Sequence, residues 1–147
     1  MNNKERVVGI DVSKATLDVA LLPSGEVLQF ANDANGIEEL GKKLKLAAAD
    51  LVVMEATGGY ETAVATALVG SGLRVAVVNP RQIRDFAKAT GRLAKNDRLD
   101  AQVIAAFGQA IEPEIVRLPD EDARALEALL VRRRQLVAMP FDTVNFV

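Results

Sequence analysis

The chain runs Val7-Val8-Gly9-Ile10-Asp11-Val12 through what we predict to be a central strand of a sheet. This run is apolar on both faces until it reaches Asp11, which is the pattern of a strand covered on both sides. A second run of this kind, Leu51-Val52-Val53-Met54, ends at Glu55. Each predicted strand therefore carries a carboxylate at its end, where burial makes an unpaired charge costly.

The rest of the pattern predicts an α/β protein with a mixed sheet. Strands are expected at residues 7–12, 16–22, 26–31, 51–55 and 74–78. Short turns join the first three strands into a meander, whereas helical segments separate the later ones and predict parallel crossovers. Helices are expected from about residue 37, over 60–69, from 80 to the break at 91, over 97–107 and over 120–139.

Composition limits the chemistry that is open to the chain. Its 147 residues are 50% hydrophobic and 26% charged, with a net charge of −2, which indicates one globular domain with a core. Cysteine and histidine are absent, which excludes disulfides, thiolate catalysis and the usual zinc ligands and general base. Carboxylates, hydroxyls, lysine or a bound metal remain, and a cytoplasmic location is expected.

Two further carboxylates, Asp97 and Asp100, open the predicted helix over residues 97–107, and Asn96-Asp97 is expected to cap it. On a helical wheel both aspartates fall with the apolar residues Val103, Ile104 and Phe107. The wheel places Arg98, Gln102, Ala105 and Ala106 on the opposite side.

Asp11, Glu55, Asp97 and Asp100 could converge if this helix packs on the sheet. Oxygen ligands of this kind suit Mg²⁺ or Mn²⁺, and two such ions can support in-line phosphoryl transfer. Two structural alternatives stay open. The Asp97-x-x-Asp100 pair could serve only as a helix cap, and Asp11 could serve only the turn that follows it.

Cations cluster directly before the aspartate pair. Arg81, Arg84, Lys88, Arg92, Lys95 and Arg98 stand against only two acidic residues in that segment. This pattern suits a polyanionic substrate beside a metal, and equally suits a solvated helix face. The candidate nucleic-acid contacts are Lys14, Arg81, Arg84, Lys88, Arg92 and Lys95.

Three stretches resemble motifs of a known family, in the family's order: GIDVSK at 9–14, MEATGGYE at 54–61 and KNDRLDA at 95–101. They are similar to motifs of the DEDD insertion-sequence transposases, which are related to the pilin-gene invertases. The resemblance covers about residues 7–139. It implies an N-terminal RuvC-like domain, which is a ribonuclease-H-like fold with a mixed five-stranded sheet flanked by helices, here followed by a C-terminal helix.

The resemblance also implies an activity. Asp11, Glu55, Asp97 and Asp100 fall on the family's catalytic, metal-binding tetrad, which implies Mg²⁺ or Mn²⁺ and two ions when substrate is bound. The family recombines DNA, so insertion-sequence ends and target DNA are the implied partners, with a structured guide RNA and a second copy of the chain.

The chain departs from the family pattern at its end. Family members continue into a second domain with a serine implicated in strand exchange, and Ser13, Ser24 and Ser71 do not match it. We expect a RuvC-like domain over 1–112, a loop and the start of a linking helix over 113–139, and an atypical tail over 140–147. A truncated product of this kind is not expected to complete transposition alone. Leucines in the linking helix could pair two chains or pack on their own domain: Leu126, Leu129, Leu130 and Leu136.

Two other functions remain open. An inactive remnant would only dimerise or bind nucleic acid. An actin-like or sugar-kinase ATPase also begins with a sequence like residues 9–13 followed by a meander. Such an enzyme needs a second glycine-rich phosphate loop, for which Thr57-Gly58-Gly59-Tyr60 is a poor match because it directly follows Glu55.

Overall fold

A computed structural model of the chain describes residues 5–92 and 99–116. A mixed five-stranded sheet with the strand order β3-β2-β1-β4-β5 forms the centre of this part. The strands are β1 (Val7–Val12), β2 (Thr16–Leu22), β3 (Glu26–Ala31), β4 (Leu51–Glu55) and β5 (Val75–Val78). β2 is antiparallel to β1 and β3, whereas β4 is parallel to β1 and β5. The mixed α/β sheet predicted from the sequence is confirmed.

Helices cover both faces of the sheet. They are α1 (Ala34–Leu46), α2 (Thr62–Gly70), α3 (Pro80–Ala89) and α4 (Ala101–Ile111). The start of α1 is fixed by Asp33, whose carboxylate accepts a hydrogen bond from the Gly36 N–H at 2.8 Å. Asn79 caps α3 in the same way, with Pro80 in the first turn where its missing N–H costs nothing.

The core is divided into two layers by the alternation of side chains along the strands. Val8 and Ile10 of β1 pack in the layer that α1 and α2 cover. Val7, on the other face of β1, packs in the layer that α3 and α4 cover, with Ile83 and Ile104. The strands are therefore buried on both faces, as their apolar runs predicted.

Helix α4 lies unusually close to β1. A Cβ atom on Gly9 would collide with the carbonyl oxygen of Ala101 and with the backbone of Ala105. Farther along α4, a Cβ on Gly108 would lie 2.5 Å from a methyl carbon of Val53. Glycine on both elements therefore allows the backbones to approach, and this approach fixes where α4 begins.

The predicted start of this helix was wrong. Asp100 is the N-cap, with extended backbone angles (φ −126°, ψ 175°), so the cap is not at Asn96-Asp97 and the helix ends at Ile111 rather than Phe107. The wheel also misplaced Ala105 and Ala106, which are buried. Ala105 lies against β1, because its backbone is among the atoms that a Cβ on Gly9 would meet.

Met1–Val116 forms one compact unit. Residues 117–147, with the predicted final helix and its leucines, lie outside the described residues, so the domain boundaries at 112 and 139 stay predictions. Within residues 5–92 and 99–116, no helix is both long enough and apolar enough to cross a membrane.

Candidate functional site

Asp11 and Glu55 lie side by side at the carboxyl ends of two adjacent parallel strands. Ile10 of β1 is in register with Met54 of β4, so the two carboxylates follow at the same level. By strand alternation, Glu55 shares the face of Val53, which packs in the layer under α4. Asp11 shares that face with Gly9, and both carboxylate residues are half-buried. The two therefore point to the same side of the sheet.

Asp100 lies where α4 begins, close to this pair of strands. Its Oδ1 accepts a hydrogen bond from the Val103 N–H at 2.9 Å, and its side chain is exposed. The next residue, Ala101, packs over Gly9, which is two positions before Asp11 on the same face. The close approach of helix and strand thus brings Asp100 toward the ends of β1 and β4.

The fourth predicted ligand, Asp97, lies outside the described residues, as does the predicted contact Lys95. In the part of the chain that the structure describes, no three acidic side chains are close enough together to hold a metal ion. The predicted tetrad therefore stays a prediction. The Asp100 carboxylate does cap α4, and its role as a metal ligand stays a prediction.

Sequence analysis missed a further carboxylate, Asp18, on the same face. Asp18 is directly opposite Asp11 in the β1–β2 register and is half-buried. Its Oδ1 accepts a hydrogen bond from the Gln29 amide at 2.7 Å. The short turn between β1 and β2 could have revealed this pairing, because the length of a hairpin turn sets the register of its strands.

The β4–α2 loop (residues 56–61) follows Glu55 and is held by its own last residue, Glu61. The Oε1 atom of Glu61 accepts hydrogen bonds from the Thr57 N–H (2.9 Å), the Thr57 hydroxyl (3.1 Å) and the Gly59 N–H (3.1 Å). Burial by itself raises the pKa of Glu61. The hydrogen bonds from Thr57, from Gly59 and from its own N–H outweigh burial, and its pKa is lowered from 4.5.

Asn32, at the end of β3, ties this loop to the turn that follows β1. Its side-chain amide donates to the Ser13 carbonyl at 2.8 Å and to the Tyr60 carbonyl at 3.3 Å. We call the surface made by residues 13–15, Asn32 and the β4–α2 loop the site edge. Asn32 is 19 residues from one partner and 28 from the other, so no local pattern in the sequence predicted its role.

Two predicted nucleic-acid contacts lie near the ends of the strands. Lys14 is exposed in the turn that follows Asp11. Arg81 is exposed in the first turn of α3, just after β5, where Val78 is opposite Glu55 in the register. These positions suit cations that would meet a polyanion beside the carboxylates.

The other predicted contacts among the described residues lie farther from the ends of the strands, along α3 or just after it. Lys88 is about 10 Å farther along the helix axis than Arg81, at 1.5 Å per residue. The Arg92 guanidinium lies over the Phe86 ring, 5.8 Å from its centroid, and so has a structural contact as well. Arg84 is half-buried. Among the described residues, the cations of the basic segment therefore spread along α3 and do not all lie at the ends of the strands.

Comparisons with known proteins agree with the motifs. The family model of DEDD transposases of the IS110 type, described as a transposase, matches residues 8–146. Pilin gene-inverting proteins of Moraxella lacunata and Moraxella bovis are both 29% identical over 140 residues. These matches cover 88% of this chain and 44% of each relative, so the chain spans less than half the length of the curated relatives it matches.

Solved structures agree with the fold. Thermus thermophilus RuvC in complex with a Holliday junction substrate matches with a TM-score of 0.53 at 12% identity, covering 76% of this chain and 99% of RuvC. RuvC of the same organism in another structure matches with a TM-score of 0.50 at 15% identity, with the same coverage. The fold is therefore RuvC-like, and because the family model spans nearly the whole sequence, the chain belongs to the DEDD transposase family.

Proposed function

We propose that this chain is the catalytic domain of a DNA transposase, which cleaves and transfers DNA strands with the help of divalent metal ions. The observation that carries the proposal is the pair Asp11 and Glu55. The two lie at the carboxyl ends of adjacent parallel strands, at one level and on one face, with the start of α4 close by. Family membership supports recombination of DNA, in preference to the ATPase interpretation.

The available donors fit Mg²⁺ or Mn²⁺. The whole chain lacks histidine and cysteine, so its metal ligands would be oxygen atoms, which hard cations prefer. We assign Asp11, Glu55, Asp97 and Asp100 as the residues that would hold the metal. Once bound, such ions stabilise charge on a phosphodiester and make a water or hydroxyl group a better nucleophile.

The chain's own residues would orient the substrate. We assign Lys14, Arg81, Arg84, Lys88, Arg92 and Lys95 to backbone contacts with DNA or with a structured guide RNA. Lys14 and Arg81 would act nearest to the carboxylates, since both are exposed near the ends of the strands that carry them. Insertion-sequence ends and target DNA are the proposed substrates, and an assembly of at least two copies is the proposed active form.

A competing interpretation is an inactive remnant that only dimerises or binds nucleic acid. One observation favours it, because the Asp100 carboxylate already caps α4 and needs no ligand to explain it. The two interpretations predict different effects of Asp100→Asn on the response of the protein to metal. Asparagine caps helices as well as aspartate does, but it lacks the charge that a metal ligand needs.

The deciding experiment is thermal melting of the parent, Asp11→Asn and Asp100→Asn with and without millimolar Mg²⁺ or Mn²⁺. We expect a metal-dependent rise in Tm for the parent that both variants lose, because a ligand that binds only the folded state stabilises it. Asp33→Asn is the matched control, since Asp33 caps α1 on the opposite face of the sheet. Its metal response should equal that of the parent.

Two results would contradict the proposal. An equal rise in all four proteins would mean that the ions bind non-specifically. No rise in any of them, repeated with branched DNA present, would support the inactive remnant. Cleavage of a branched DNA substrate by the parent, lost in Asp11→Asn, would complete the case for catalysis.

A further inference from the structure

The site edge carries an exposed aromatic ring, Tyr60, in the loop that follows Glu55. Tyr60 is 49% exposed, although it is one of only six aromatic residues in the chain. It is in the loop that begins immediately after Glu55. A large ring left in solvent on a loop that leaves a candidate catalytic strand is available to meet a substrate and does not fill the core.

The loop is held in place independently of the Tyr60 side chain. Glu61 binds the backbone of Thr57 and Gly59, and Asn32 binds the carbonyl oxygen of Tyr60. The ring is therefore presented on an ordered backbone, which reduces the entropy that a contact with a ligand would cost.

The surface around the ring is open. Gly58 and Gly59 have positive φ angles of 73° and 109°, and a Cβ atom at either position would have no other atom within 4 Å. The backbone between Thr57 and Tyr60 thus carries no side chain, which leaves space for a flat group against the ring.

The site edge also carries an exposed cation, Lys14. Lys14 is exposed in the turn whose Ser13 carbonyl accepts the other hydrogen bond of the Asn32 amide. The same amide therefore links the backbone next to Lys14 with the backbone of Tyr60. An aromatic ring with a nearby cation is the combination that binds single-stranded nucleic acid, because every base has a face for stacking and every nucleotide has a phosphate.

We propose that the site edge binds an unpaired nucleotide, with Tyr60 stacked on its base and Lys14 paired with a phosphate of the same strand. This inference rests on the proposed action of the chain on DNA and adds to it a preference for unpaired strands at ends or branches. Bases inside a duplex are already stacked on their neighbours, so a duplex would offer Tyr60 only the outer faces of its two terminal pairs.

The chain itself supplies the probe for this proposal. Tyr60 is the only tyrosine and tryptophan is absent, so the tyrosine fluorescence of the whole protein comes from this one ring. We would titrate the full chain with oligo-dT and, separately, with a blunt duplex of equal length, and follow both fluorescence and binding. Stacking predicts that oligo-dT quenches the emission far more strongly than the duplex does, because every base of oligo-dT offers a face.

Substitutions give a second readout. We expect Tyr60→Ala to weaken binding to oligo-dT by roughly 5- to 100-fold and Tyr60→Phe to retain it, with duplex binding unchanged in both. Lys14→Gln should reduce the salt dependence of binding by about one phosphate contact. Lys42→Gln is the matched control, because Lys42 is an exposed cation on α1 that pairs with Glu38.

The outcomes separate this inference from the proposed function. Binding of oligo-dT without quenching and without loss in Tyr60→Ala would overturn the inference and leave the proposed function intact. No binding of any DNA would overturn both. A change in the emission per mole of protein as the protein concentration rises, in the absence of DNA, would show that a second copy covers the ring. That result would also overturn the inference. The Tyr60→Ala variant should fold, because Asn32 contacts only the backbone at this position.

Discussion

Asp100 combines a structural contact with a proposed chemical one, and two substitutions can separate them. Asp100→Ala removes the cap of α4 and should cost about 1 kcal/mol in the free energy of unfolding. Asp100→Asn keeps the cap and should cost close to nothing, while both variants lose the metal response. Urea unfolding of the two variants without metal checks this. Equal destabilisation by both would mean that charge, not capping, holds the start of α4.

The stabilisation that Glu61 contributes should depend on pH. Its carboxylate accepts hydrogen bonds that favour the charged form, so we expect Glu61→Gln to lower the free energy of unfolding by about 1 kcal/mol at neutral pH. Because its pKa is lowered in the folded protein, this stabilisation is complete above the ordinary value of 4.5. It is lost as the pH falls through the lowered folded pKa.

The measurement for Glu61 is urea unfolding of the parent and Glu61→Gln at several pH values between neutral and acidic. The difference between the two proteins should stay constant down to about pH 4.5 and then narrow. Glu39→Gln, at an exposed position on α1, is the control and should show no comparable difference. A difference that grows on acidification would contradict the assignment.

At the scale of elements, the strands were predictable and the start of α4 was not. The strands are apolar runs between strong turn signals, so the sequence of residues 7–31 and 51–55 determines their ends. The segment before α4 offers Asn96, Asp97 and Asp100, all good caps, and local pattern cannot choose among them. The choice follows from packing, since Ala101 is the residue that fits over Gly9.

That packing makes Gly9→Ala a severe substitution. The added methyl group would collide with the backbone of α4, which cannot give way as a flexible side chain can. We expect a loss of about 1–3 kcal/mol or more in the free energy of unfolding, together with loss of the metal response as α4 moves.

Gly70→Ala is the control for this substitution. Gly70 is helical, and a Cβ there would have no other atom within 4 Å, so the change should be neutral or slightly stabilising. Thermal melting of both variants checks the pair. A Gly9→Ala protein as stable as the parent would mean that α4 is not held against β1 as described.

At the scale of the whole molecule, Met1–Val116 should fold without the residues that follow. The described residues form two core layers, and the last of these residues still contribute to one of them. The Val116 N–H donates to the Val75 carbonyl at 2.6 Å, and Ile115 packs against the layer under α3 and α4. The chain cut after Val116 should therefore melt cooperatively.

A cut after Ile111 is the informative comparison. It keeps all of α4 but removes Ile115 and the backbone hydrogen bond of Val116, so this protein should melt at a lower temperature. Circular dichroism and thermal melting of the chains cut after Val116 and after Ile111 measure this difference. Failure of the longer protein to fold would show that residues after Val116 complete its core.

The candidate site itself could be predicted only in part. The carboxylates at the ends of β1 and β4 follow from strand pattern, because parallel neighbours end at one edge. The roles of Asp18 and Asn32 were not predicted, because they depend on partners in other strands and loops. The acidic character of the site was thus visible in the sequence, whereas the network that organises its surroundings was not.

The mixed order of the sheet has a consequence for how the molecule folds. The β1–β2–β3 meander closes through short turns, whereas β4 joins β1 only when residues as far apart as Arg6 and Asp50, 44 positions, come together. Long loops close later and more slowly than hairpins. We therefore expect Asp11 to meet Glu55 late in folding, after the main barrier. We expect Mg²⁺ to slow unfolding and leave the refolding rate almost unchanged, which stopped-flow kinetics would measure.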